Sequence, residues 1–287
     1  MDNRNYLTPS EISLFAIETG VKKVKTCRLN QFILAILAGV FIAFAAEGSN
    51  MAAFNLLGKP ETYGLGRSLA GSIFGTGLML VVVAGGELFT GNSLIMAGVL
   101  EKQITVKELL NNWVFVFLGN LVGSLLIVYM IIESGQLNSG DYLLGGLTIK
   151  TAYTKISYSF ASAFFLGIMC NWLVCLAVWM SYGSKDLTGK IFAIFFPIWL
   201  FITSGFEHSI ANMYYIPAGI MAKSNPNWVM ASKLSVEQLA DLNWVTFFTK
   251  NLIPVTIGNI IGGAIFAAAT YWFVYIKNSP DRNVCKK

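Results

Sequence analysis

The chain has 287 residues, of which 55% are hydrophobic and 12% charged, with a formal net charge of +5. That charged share is about half of a typical water-soluble domain's and cannot cover a solvated surface. The positive balance is no nucleic-acid footprint, because the basic residues sit mostly in the connections between apolar runs.

Residues 1–31 read as a peripheral N-terminal segment with an amphipathic helix. Thr8 caps it, Pro9 suits the first turn, and Glu11 three residues on completes a capping box. Ile12, Phe15, Ala16 and Thr19 share a face, while Glu18, Lys22, Lys23 and Lys25 mark the wetter side. The pattern predicts a helix lying at the cytoplasmic membrane interface or packed against a neighbouring subunit.

Residues 32–276 form the membrane domain. Phe32 to Ala46, Leu69 to Gly86, Asn111 to Ile132, Tyr158 to Tyr182, Ile191 to Phe206 and Asn251 to Ile276 approach or exceed the roughly 20 apolar residues that cross a bilayer. The first, second and fifth stop at Glu47, Glu87 and Glu207. Six spans put both termini on one side. Thirteen Lys and Arg lie on that side and seven opposite, which predicts a multi-pass cell-membrane protein with cytoplasmic termini and a cytoplasmic tail over 277–287.

A faint repeat divides the domain into halves of 32–135 and 156–276. Gly85 to Asn92 and Gly205 to Asn212 share the pattern G-x-E-x-x-x-x-N, and Gly119-Asn120-Leu121-Val122-Gly123 matches Gly258-Asn259-Ile260-Ile261-Gly262. Three spans per half require opposite insertion, so the pattern predicts an all-α inverted 3+3 repeat. Spans two and five, continued to Gly98 and Ile220, are too long for one crossing. Each is therefore expected to be a broken helix whose irregular backbone faces a pore or buried cleft.

The polar residues at the breaks are the candidate site. His208, the sole histidine, is expected to line a pore, against the alternative that it only packs two helices together. Thr90 can satisfy a freed amide or contact a permeant ion. Glu87 and Glu207 are expected to accept hydrogen bonds from exposed backbone N–H groups, with Asn92 and Asn212 also supporting the breaks; a proton relay is the rival role for the carboxylates. Asn171, in the fourth span, either donates to the permeant species or braces a break. Lys155 either raises the anion concentration at the non-cytoplasmic mouth or snorkels at the interface. Phe74, Leu78 and Phe201 lie near the breaks, and hydropathy alone does not separate them from ordinary packing residues.

No second histidine or cysteine cluster completes a metal site, no cofactor is implied, and Cys27, Cys170, Cys175 and Cys285 show no disulfide spacing. A membrane enzyme is disfavoured because no nucleophile has a matched base. A neutral-solute channel lacks the paired Asn-Pro-Ala loops.

Four ordered stretches carry a resemblance: Val83 to Gly91, Gly167 to Met180, Ser204 to Asn212 and Asn251 to Gly263. Over almost its full length the chain resembles the formate/nitrite transporter family. The resemblance implies an aquaporin-like protomer of six helices in a homopentamer, with a pore in each subunit. It implies that Phe74, Leu78 and Phe201 form apolar constrictions around His208, and that Thr90 lies on the first break's loop. Asn171 and His208 would offer polar contacts, and Lys155 would be the vestibule cation. Formate, nitrite and hydrosulfide are all in contention as the monovalent anion, with a proton and membrane lipids as further partners. The stretch Ala45 to Ala52 departs from the family's apolar pattern at Glu47, which would order a subunit interface or outer loop, or alter selectivity.

Overall fold

A computed structural model describes residues 4–278, and those residues are helical throughout, with no strand beyond an isolated bridge between Tyr6 and Ser184. In chain order the helices are α1 Pro9–Lys25, α2 Arg28–Leu57, α3 Tyr63–Met79 with a π-helical extension Leu80–Gly85, α4 Gly91–Leu100 and α5 Val106–Glu133. Then follow α6 Leu143–Ile156, α7 Phe160–Gly183, α8 Leu187–Thr203, α9 Ser209–Ala222, α10 Pro226–Ser232, α11 Val236–Asp241 and the long α12 Trp244–Lys277. The expected tail lies almost wholly outside the described residues.

Five of these helices, α2, α3, α5, α7 and α12, are long and apolar enough to cross a membrane; α8 is shorter. Apolar side chains cover much of the outside, and glycines stand where helices meet most closely. A Cβ on Gly123 would collide with the Ile36 carbonyl oxygen, and one on Gly262 with that of Ile168. These glycines let α5 close on α2 and α12 close on α7, the contact that small-xxx-small spacing permits in lipid.

The first span extends beyond its apolar run, since α2 carries on through Glu47 to Leu57. Glu47, Ser49 and Asn50 face inward rather than ending the helix. Ser49 Oγ bonds the carbonyls of Ala45 and Ala70, and the Tyr214 hydroxyl donates to Glu47 Oε2. Glu47 is thus buried within the protomer against α9, not set in an outer loop or on a subunit surface.

Helix α1 keeps its capping box, with the Thr8 amide 2.6 Å from Glu11 Oε2. Its buried face, however, is Ile12, Ser13, Ala16, Ile17 and Gly20, while Phe15 is exposed at 39%. The wet-side Lys23 turns inward to a carboxylate in the first break, so this helix closes over the membrane domain rather than merely lying beside it.

Candidate functional site

Both long spans are interrupted. The first chain leaves its helix at Gly85, whose φ of +100° a side chain would resist, and resumes at Gly91; the second does the same at Gly205, φ +77°, and resumes at Ser209. Each interruption strips backbone groups of helical partners inside the membrane, where leaving them unpaired is costly.

An asparagine clamps each break. Asn120 Nδ2 donates to the carbonyls of Ala35 (2.7 Å) and Glu87 (2.9 Å), and its Oδ1 accepts from the Phe89 amide (3.0 Å). Asn259 repeats the pattern with Gly167 O (2.8 Å), Glu207 O (3.0 Å) and the Ser209 amide (2.9 Å). The Glu87 amide donates to Leu34 O and the Glu207 amide to Leu166 O. Both asparagines stood in the repeated Gly-Asn pairs, but small-residue packing hid their role.

The carboxylates are held by side chains, not by the freed backbone amides. Glu87 accepts from Lys23 Nζ at 2.8 Å and from Asn92 Nδ2 at 2.7 Å, and Asn92 also bonds Asn112. Glu207 accepts from Lys155 Nζ at 2.7 Å, Asn212 Nδ2 at 2.7 Å and Asn251 Nδ2 at 3.2 Å. Lys23 and Lys155 each sit five positions before the helix that follows, so the two halves repeat a Lys–Glu–Asn–Asn set. Lys155 is therefore not a free vestibule cation. Its charge is matched by Glu207, and its side chain is 14% exposed.

Between the breaks stands His208. Its Nδ1 accepts from the Ala211 amide at 3.1 Å, capping α9, and its Nε2 lies 2.9 Å from Thr90 Oγ1. A nitrogen that accepts from an amide carries no proton, so Nε2–H donates to Thr90 and the Thr90 hydroxyl hydrogen stays available. Asn171 makes a different use of its amide, donating to Thr90 O (3.2 Å), Asn259 O (2.7 Å) and Ser93 Oγ (3.1 Å). Of its two expected roles, that geometry is the brace.

Three cavities lie at and around the breaks. One of 180 Å³ is walled partly by Arg67, Lys155, Phe206 and Glu207. A second of about 10 Å³ is lined by Ile42, Phe74, Leu78, Phe201 and His208, among others. The third, 310 Å³, shares Leu78 and Leu88 with the second and reaches Lys23 and Glu87. The middle one is near the smallest that holds a single water. Phe74 and Phe201 meet edge to face with ring centres 5.6 Å apart, and Phe201 lies 6.0 Å from the imidazole. Among the described residues no group of three or more His, Cys, Asp or Glu side chains is placed to hold a metal ion.

The sequence pattern of the family described as "Formate/nitrite transporter" matches residues 10–273. The chain belongs to the formate/nitrite transporter family. The formate channel FocA of Escherichia coli strain K12 is 40% identical over 275 residues, covering 95% of this chain and 96% of that protein. A probable formate transporter of Methanothermobacter thermautotrophicus is 40% identical over 259 residues, covering 85% and 88%. A solved pentameric formate channel with formate bound superposes with a TM-score of 0.77 at 38% identity, covering 87% of this chain and 98% of that one. Membership in this family makes the chain a membrane transport protein rather than an enzyme, with an all-helical fold that its structural neighbours share.

Proposed function

We propose that the protein passes a small monovalent anion, formate foremost and with nitrite and hydrosulfide as rivals, across the cell membrane as its neutral acid. The observation that carries this reading is a wide cavity with charged walls at each break and a narrow apolar one that holds the single imidazole. The formate channels among the relatives support formate as cargo, and the pentameric neighbour supports a homopentamer with one path per subunit. The repeated hydrogen bonds at the two breaks support six spans in an inverted 3+3 arrangement, and the basic residues support cytoplasmic termini.

An anion waits in a water-filled vestibule, where charge is cheap. Phe74, Leu78 and Phe201 exclude it from the centre, since burying a bare charge without partners costs many kcal/mol. Protonation by vestibule water removes that charge, and the acid passes His208 and Thr90. The imidazole acts as a fixed donor: Nδ1 stays tied to the Ala211 amide, and Nε2–H holds Thr90 Oγ1 so that the hydroxyl hydrogen faces the acid's oxygen. On the far side the acid returns its proton to water, giving net symport of one anion and one proton.

Proteoliposomes test this. Labelled formate uptake is expected to rise with an inward proton gradient and to fall strongly in His208→Phe. Unchanged flux and pH dependence in that variant would sink the assignment of His208.

A further inference from the structure

The two outer cavities are alike in plan but not in charge. The one at the first break sets Lys23 against Glu87 and has no other charged wall residue. Its counterpart at the second break sets Arg67, Lys150 and Lys155 against Glu207 alone. Glu207 is already engaged by Lys155, Asn212 and Asn251, so it does not balance the other two cations.

Arg67 is placed to use that excess. It rises from the first turns of α3, and its Nη2 donates to the carbonyl of Ile202, next in sequence to the constriction residue Phe201. That bond employs one of five guanidinium N–H donors and fixes the head beside the second break. Asn50 lines the same cavity at 4% exposure, and its Nδ2, near the Glu47 carboxylate, makes no hydrogen bond of good geometry. A tethered, permanently charged fork and an unpaired buried amide donor are what a small carboxylate needs, because a planar guanidinium matches two carboxylate oxygens. A cavity of 180 Å³ leaves room for the anion together with part of its water.

We infer that Arg67, with Asn50, forms an outer subsite for a small monovalent carboxylate or oxyanion, which holds it just ahead of the Phe201 constriction on one face of the membrane only. This deepens the transport reading and rests on it. The subsite is a docking place and not the site of proton transfer. Arg67 keeps its charge throughout, and the anion leaves the guanidinium when it gains a proton from water. The opposite vestibule, with one balanced ion pair, offers no equivalent.

Saturation of formate uptake from the Arg67 face, in vesicles of known orientation, tests the inference. Arg67→Gln is expected to raise the half-saturating concentration about tenfold, the scale of one lost charged hydrogen bond, with the maximal rate kept. Arg67→Lys restores much of the affinity, and added salt weakens the wild type more than Arg67→Gln. A fall in maximal rate with half-saturation unchanged would make Arg67 a brace for Ile202 and overturn the subsite. Lys150→Gln, on an exposed side chain outside that brace, covers the case in which Arg67→Gln does not fold; half-saturation unmoved by it would count against the excess charge. Calorimetric titration with formate separates the two readings. Binding that is lost in Arg67→Gln while the wild type carries no flux keeps the subsite and sinks conduction, whereas wild-type flux with no binding difference does the reverse.

Discussion

Thr90 Oγ1 and His208 Nε2 lie 2.9 Å apart, so the two interrupted helices meet through one side-chain hydrogen bond across 118 residues of sequence. The repeat does not pair these residues with each other. By the spacing of the shared motif His208 corresponds to Leu88, and both line the small central cavity, one offering an N–H donor and the other only a methyl surface.

Among the described residues, the only polar side chain in the wall of that cavity is thus the one that Thr90 holds. Thr90→Val keeps the shape but removes the acceptor for Nε2–H and the free hydroxyl hydrogen. Formate uptake at a fixed proton gradient is expected to fall about tenfold or more, while Thr90→Ser retains most of it. Equal flux in the valine variant would remove Thr90 from the path.

The asparagine clamps predict a stability signature separate from transport. Asn259→Ala leaves the carbonyls of Gly167 and Glu207 and the amide of Ser209 without these partners. At about 1–3 kcal/mol for each buried group left unpaired, the loss should exceed about 3 kcal/mol. Asn120→Ala should cost a similar amount. Thermal unfolding in detergent checks both, and unshifted transitions would mean that the breaks are held by something else.

Lys155 carries two possible burdens, bracing Glu207 and drawing anions, and a double-mutant cycle parts them. Lys155→Met strands a buried carboxylate, which typically costs about 3–5 kcal/mol. Adding Glu207→Gln should recover much of that stability. If uptake recovers together with stability the lysine is a brace; if stability returns and uptake from that face does not, its charge serves capture.

At the N-terminus a pH effect follows from the capping box. The Thr8 amide, and then the Thr8 hydroxyl, bond the Glu11 carboxylate, with Arg4 adding a smaller pull, and together they hold its pKa below the ordinary 4.5 despite slight desolvation. A depressed carboxyl stabilises the fold above its unfolded pKa and loses that contribution as pH falls through the lower folded value. Amide exchange in the first turn of α1, corrected for intrinsic rate, should therefore lose protection as pH falls below the ordinary carboxylate value of 4.5 and through the lower folded one, and Glu11→Gln should flatten the change. Protection independent of pH in both proteins would contradict the cap.

The breaks were legible because Gly, Glu and Asn recur at fixed spacing in runs too long for one crossing. The small apolar cavity around the imidazole was not, since Phe74 and Phe201 have the same hydropathy as any packing residue, and only the family resemblance pointed to them. Charge misled in two places. Glu47 looked like the end of a span, yet its helix continues because Tyr214 supplies a partner from α9. Lys23 looked like part of a solvated face, yet its partner Glu87 lies 64 residues away, beyond the reach of any local pattern. Asn120 and Asn259 were visible as repeated residues but not as clamps, because their partners lie on other helices.

The central claim is that charge stays outside the ring formed by Phe74, Leu78, Phe201 and His208. Formate flux, proton flux and electrical current measured together across one vesicle membrane test it most directly. Formate and protons should move one for one, driven by a pH gradient and producing no net current. Formate movement that follows an imposed voltage at equal pH, with current to match, would show the bare anion crossing and contradict the account.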